Sequence, residues 1–126
     1  MPTPTNCKYS ESHEWHRSEG DSVVLGITQF AVNELTDITY VQMKPVGTKL
    51  KAGETVGEVE SVKATSDIYT GAAGEITAVN TALADDPSAV NTDPYGKGWL
   101  VKLKVTDPSG LAKLLDSAAY DSKYKT

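Results

Sequence analysis

Apolar residues in this chain come in short runs of strand length, separated by turns rich in Gly, Pro and Asp. Val23-Val24-Leu25-Gly26-Ile27 is the first such run, preceded by the turn residues Glu19-Gly20-Asp21-Ser22. An unbroken apolar run of this length predicts a strand. Asp37 to Met43, rich in β-branched and aromatic residues, predicts another, and Pro45-Val46-Gly47 breaks it. Lys51-Ala52-Gly53-Glu54 and Gly71-Ala72-Ala73-Gly74 read as turns, with strands on both sides of Lys63 and again from Glu75 to Val79. Trp99 to Val105 alternates: Trp99, Val101, Leu103 and Val105 share one predicted face, and Leu100, Lys102 and Lys104 the other.

Two stretches change to helical spacing. Thr28 is placed to cap a short helix through Leu35, whose buried side would be Phe30, Ala31 and Leu35. Asp107 followed by Pro108 is a helix start. Leu111, Leu114, Leu115 and Ala118 then carry the i, i+3, i+4, i+7 stripe of an amphipathic helix. Between these, Ala82 to Lys97 predicts a loop with one helical turn after Pro87. Many short strands with peripheral helices predict a mainly β domain, either an antiparallel sandwich or a flattened barrel.

At 126 residues the chain predicts a single domain, with a flexible tail over 1–8 and a helical C-terminal tail over 107–126. No apolar run approaches the roughly 20 residues that cross a bilayer. The opening residues Met1-Pro2-Thr3-Pro4-Thr5-Asn6 lack the pattern of a secretory signal, so a cytoplasmic location is expected, with a processed mitochondrial form as the other reading. The net charge of −5 and the scattered lysines argue against nucleic-acid binding. Cys7 is a lone cysteine, expected in the mobile tail as a bystander, and His13 and His16 are too few to build a metal site.

One lysine stands apart. Lys63 lies in Gly57-Glu58-Val59-Glu60-Ser61-Val62-Lys63-Ala64-Thr65-Ser66-Asp67-Ile68-Tyr69, between two strand-like segments and among Glu58, Glu60 and Asp67. Composition alone makes it an ordinary solvated lysine. Its setting predicts instead a lysine displayed at a hairpin tip for another enzyme to modify. An enzymatic role for Lys63 as a nucleophile would need a desolvated pocket, whereas a turn among carboxylates predicts exposure. No Ser-His-Asp set, Walker loop or dinucleotide fingerprint accompanies it.

These residues carry a family pattern. Ser12-His13-Glu14-Trp15, Gly26-Ile27-Thr28, the Glu60-Ser61-Val62-Lys63-Ala64 core, Ser66-Asp67, Gly74-Glu75, Val79-Asn80, Val90-Asn91, Asp93-Pro94-Tyr95-Gly96 and Gly98-Trp99 occur in one order. From about Tyr9 to Tyr120 the chain resembles the H-protein family, the lipoyl carriers of the glycine cleavage system. Biotin carriers typically show Met-Lys-Met at the tip and dehydrogenase lipoyl domains Asp-Lys-Ala, whereas here the tip is Val62-Lys63-Ala64.

The resemblance implies a lipoyl-domain-like fold, a barrel-sandwich hybrid, with lipoate in amide linkage on Lys63. It implies a non-catalytic carrier that shuttles an aminomethyl group from the glycine decarboxylase (P protein) to the aminomethyltransferase (T protein), and its dithiol to the dihydrolipoyl dehydrogenase (L protein). Lipoylation enzymes would load it, no nucleic acid or membrane would be bound, and a monomer is expected. A lipoyl relay to other enzymes, or service in another multienzyme complex, is the alternative. Ser12, Glu14 and Asp67 are implied contacts for the folded-back arm, and Glu58 and Glu60 are expected to recognise partners. Two departures stand out: Gly71 replaces a usual proline, so that turn should be less pre-set, and Thr36 replaces a common glycine.

Overall fold

The computed structural model describes residues 3–124. The chain opens with β1 (Cys7–Tyr9), β2 (Glu14–Glu19) and β3 (Ser22–Ile27), followed by helix α1 (Gln29–Leu35). Next come β4 (Ile38–Met43), β5 (Lys49–Leu50), β6 (Thr55–Ser61), β7 (Thr65–Tyr69) and β8 (Ala73–Val79). A 3-10 turn at Thr81–Ala84 and the one-turn helix α2 (Ala89–Thr92) lead into β9 (Val101–Asp107). A second 3-10 stretch, Pro108–Lys113, and helix α3 (Ser117–Lys123) complete the described chain. The strands form two antiparallel sheets, one in the order β1-β2-β3-β9-β8-β5 and one in the order β4-β6-β7. The fold is mainly β as expected, built as two open sheets.

The unbroken apolar run Val23–Ile27 is explained by its position. β3 sits between β2 and β9, and both of its faces are covered. A strand buried on both sides has no solvent face on which to place polar residues. Leu25 and Ile27 enter the main core with Val56, Val59, Ile68, Ile76, Val101 and Leu103. Val24 faces a second cluster with Cys7, Tyr9, Trp15 and Tyr120. Gly26 must be glycine here, because a Cβ would lie 2.6 Å from the Trp15 ring that covers it. Trp15 is fully buried and donates from Nε1 to the Pro94 carbonyl at 2.9 Å.

Several expectations need correction. Cys7 is not in a mobile tail: it lies in β1, paired with Arg17, and is buried, which pushes its thiol pKa up. Thr3 is also buried, bonded to Asp121 of α3, and the Tyr9 hydroxyl donates to the Pro4 carbonyl. Of the expected tail, only residues 1 and 2 lie outside the described part. The stripe Leu111–Ala118 is not one helix. It starts at the predicted cap, Asp107, but Leu115 exchanges backbone hydrogen bonds with Tyr9 and Asp116 caps a new helix. In α1 the fully buried residue is Val32, while Phe30, Ala31 and Leu35 are half-buried. Trp99 and Leu100 precede β9, and Leu100 is fully buried rather than sharing an outer face with Lys102 and Lys104.

Thr36 closes α1 with φ 63° and ψ −140°. A β-branched residue at positive φ is strained by its Cβ, in a conformation that favours glycine. Asn91 holds the strained turn, donating to the Thr36 carbonyl at 2.7 Å and accepting the Ile38 N–H at 2.9 Å. Thr36→Gly is expected to stabilise the fold by about 1 kcal/mol, the relief of strain less the backbone entropy that glycine adds to the unfolded chain. Thermal unfolding would show a higher Tm; an unchanged or lower Tm would mean that the turn carries no strain.

Candidate functional site

Lys63 sits where β6 turns into β7, and the tip is built by Ser61. The Ser61 N–H donates to the Ala64 carbonyl at 2.8 Å. The Ser61 Oγ accepts the N–H groups of Lys63 at 3.1 Å and Ala64 at 3.0 Å. A short hydroxyl side chain that satisfies its own turn in this way fixes a tight bend. The Val62 N–H donates to the Asp37 carbonyl at 3.1 Å, tying the tip to the segment after α1. Lys63 is exposed, no described carboxylate lies within 4.0 Å of its amine, and its Nζ donates to the Glu34 carbonyl at 3.2 Å. That carbonyl belongs to the last turn of α1, where helix carbonyls lack internal partners.

The three-stranded sheet turns an acidic face outward. Register pairs Glu58 with both Gln42 and Asp67, and Glu60 with both Tyr40 and Thr65. Directly opposed residues share a face, so Glu58, Glu60, Thr65 and Asp67 project together. Glu58 and Asp67 are like charges across a ladder, an arrangement that destabilises a sheet in isolation and suits a cationic partner. Tyr40, Val62 and Tyr69 add exposed apolar surface around it.

Glu14, the first residue of β2, is buried. It lines a cavity of about 270 Å³ with Ser10, Ser12, Gly53, Tyr69, Thr70 and Gly71. Its Oε1 accepts from the hydroxyls of Ser10 and Ser12, and its Oε2 accepts the Tyr69 N–H at 3.1 Å. Burial pushes its pKa up, and these hydrogen bonds pull the other way without cancelling it. The cavity therefore ends on a desolvated carboxylate that a cation would relieve.

The three residues implied as arm contacts are not all brought together. Ser12 and Glu14 share the cavity. Asp67 lines a separate cavity of about 390 Å³ with Gln42, Met43, Lys44, Pro45, Thr55, Gly57 and Glu58. It is nevertheless on the outward side of β7, two residues from Tyr69, which reaches the Glu14 cavity. Tyr69 and Gly71 line the Glu14 cavity and His16 accepts the Gly71 N–H at 2.9 Å; sequence reading missed all three. The alternation of Glu14 and His16 along β2 was the available signal.

A sequence model of the family described as glycine cleavage H-protein matches residues 7–126. The glycine cleavage system H protein of Chlorobium limicola is 50% identical over 122 residues, 95% of each chain. That of Symbiobacterium thermophilum is 48% identical over 119 residues, 94% of this chain and 93% of its own. The crystal structure of a glycine cleavage system H protein from Mycobacterium marinum matches with a TM-score of 0.88 and 41% identity, covering 96% of this chain and 98% of that one. With a lysine tip and this fold in place, the chain belongs to the glycine cleavage H-protein family, the lipoyl carriers of the glycine cleavage system.

Proposed function

We propose that this chain carries lipoate in amide linkage on Lys63 and moves between the enzymes of glycine cleavage. One observation carries the reading. The exposed Lys63 tip is joined to the Glu14 cavity by the outward residues Thr65, Asp67 and Tyr69 of β7. At about 3.3 Å per strand residue, Thr65 to Tyr69 spans roughly 13 Å. A lysine stem extended by a lipoyl chain reaches on the order of a dozen ångström or more, a length comparable with the β7 part of the track.

The residues present fit the group: an exposed primary amine on a stapled turn, with no ion-pair partner among the described residues and one exposed hydrogen bond to the Glu34 carbonyl, is open to acylation. When bound, lipoate supplies a cyclic disulfide that accepts a carbon fragment as it is reduced, and a dithiol that can be reoxidised. In this reading the chain takes an aminomethyl group from the glycine decarboxylase, delivers it to the aminomethyltransferase and presents its dithiol to the dihydrolipoyl dehydrogenase. Lipoylation enzymes load Lys63. The chain itself is a non-catalytic, monomeric, cytoplasmic subunit whose residues bind and shield. Reconstitution with the three partner enzymes tests this: the lipoylated chain should support glycine-dependent turnover, and no turnover would refute it.

Ser10, Ser12 and the Tyr69 N–H hold the Glu14 carboxylate in place to pair with a methylamine cation. Glu14→Ala removes that pairing, so the loaded group should be lost to water about tenfold faster, as expected for one charge-assisted hydrogen bond. Lifetimes measured without the aminomethyltransferase check it; equal lifetimes would sink the pairing.

Glu58, Glu60 and Asp67 form the face offered to basic entrances on the partners. Amidation of Lys63 removes a positive charge beside them and leaves that face more negative. Association steered by exposed charges weakens as salt screens them. Coupling to the decarboxylase should fall from low to physiological ionic strength, and a flat salt profile would rule out steering.

A further inference from the structure

Glu14 does not hold the wall of its cavity alone. Successive side chains of a strand alternate, so Glu14 and His16 project from the same face of β2. They accept the N–H groups of two residues with the same spacing: Tyr69 on Glu14 Oε2 at 3.1 Å, and Gly71 on His16 Nε2 at 2.9 Å. Two side chains thus stand in for the edge of a strand. The residue between them faces the other way, its N–H donating to the Glu54 carbonyl at 2.9 Å and its carbonyl accepting the Gly53 N–H at 2.7 Å. The segment Tyr69–Gly71 is gripped from both sides.

His16 is an expensive residue to place there. It is 1% exposed. Accepting at Nε2 puts the ring proton on Nδ1, which has no hydrogen-bond partner among the described residues. An aliphatic side chain would fill the space without an orphaned donor. What the imidazole adds is the bond to Gly71. Gly71 is matched to it: a Cβ there would lie 3.1 Å from His16 Nε2 and 2.8 Å from Leu114 Cδ2. A proline at this turn would have no N–H to donate. The turn is therefore fixed by a cross-strand bond, not left loose as glycine alone predicts.

We propose that His16 is a positioning residue for the Glu14 cavity: through Gly71 it holds the Tyr69–Gly71 wall so that the Tyr69 N–H stays on the Glu14 carboxylate. This rests on the reading that the cavity receives the loaded arm, and it adds the element that keeps the carboxylate in shape.

Three variants of the lipoylated chain test it. His16→Gln keeps an acceptor near the Nε2 position, His16→Asn is polar but too short to reach, and His16→Leu has no acceptor. The first readout is amide hydrogen exchange. Gly71 and Tyr69 should exchange about tenfold faster in His16→Leu and His16→Asn, while the β3–β9 amides keep their rates and His16→Gln stays near the parent. The second is carbon NMR titration of the Glu14 carboxyl, whose midpoint should move to higher pH in the same two variants as it loses the Tyr69 N–H, and return in His16→Gln. If His16→Leu does not fold, the Asn and Gln pair gives the same comparison. Unchanged Gly71 and Tyr69 exchange in His16→Asn, or an unmoved Glu14 midpoint, overturns the proposal. The lifetime of the loaded arm in Glu14→Ala is read alongside. If that lifetime is unchanged while exchange and titration respond, the arm-cavity reading fails and the positioning by His16 stands.

Discussion

Lys63→Arg is expected to reduce glycine-dependent turnover in the reconstituted system to background while leaving the fold intact. Arginine keeps the positive charge and much of the length, and its guanidinium can still bond the Glu34 carbonyl, but it offers no primary amine for acylation. Lys63 is exposed and its side chain makes no described ion pair, so the cost to stability should stay within about 0.5 kcal/mol. The tip is held by Ser61 and by the Val62–Asp37 bond, and the lysine side chain takes no part in either. Turnover assays paired with urea unfolding would separate the two effects. Activity retained by the arginine protein would mean that the cargo travels on another residue.

The second large effect is on acid stability, through His16. Burial is the largest influence on its pKa and pushes it down from 6.5 to about 4. The folded chain therefore resists a proton that the unfolded chain accepts. The resulting stability is fully present above pH 6.5 and is lost as pH falls towards 4. At about 1.36 kcal/mol per pH unit, the fall from 6.5 to about 4 is worth roughly 3 kcal/mol, a large part of the stability of a domain this size. His13, half-buried against Phe30, Tyr120 and Tyr124, is also pushed down by burial and adds in the same direction. Glu14 acts oppositely: with its pKa raised, its contribution is full below 4.5 and is lost as pH rises through the raised value. Urea unfolding at pH 7 and pH 4 should show the parent losing about 3 kcal/mol more than His16→Gln, which retains His13 and Glu14. Equal losses would show that His16 is not the acid-labile group.

What could be read in the sequence was local. The Lys63 tip depends on Ser61 and a three-residue bend, and the run Val23–Ile27 announces a strand. Thr28 and Asp107 cap where they were expected because a cap needs only its next few residues. What could not be read depends on partners far along the chain. Glu14 looks like a solvated carboxylate until the Tyr69 N–H, 55 residues away, closes on it. The Leu111–Ala118 stripe is a sound helix pattern that fails because Leu115 has a better partner in Tyr9. Cys7 seemed to belong to a loose tail, yet Thr3 is tied to Asp121 across 118 positions. The separation of Asp67 from Ser12 and Glu14 follows from the pairing of β6 with β4 and β7, which places it over Glu58.

The central claim is that Lys63 is a tether. It is tested most directly by peptide mass spectrometry of the chain isolated from cells that contain lipoylation enzymes. A lipoyl-sized increment confined to the peptide carrying Lys63 is the predicted result. An unmodified Lys63 peptide under those conditions, or a biotin-sized increment on it, would contradict the account.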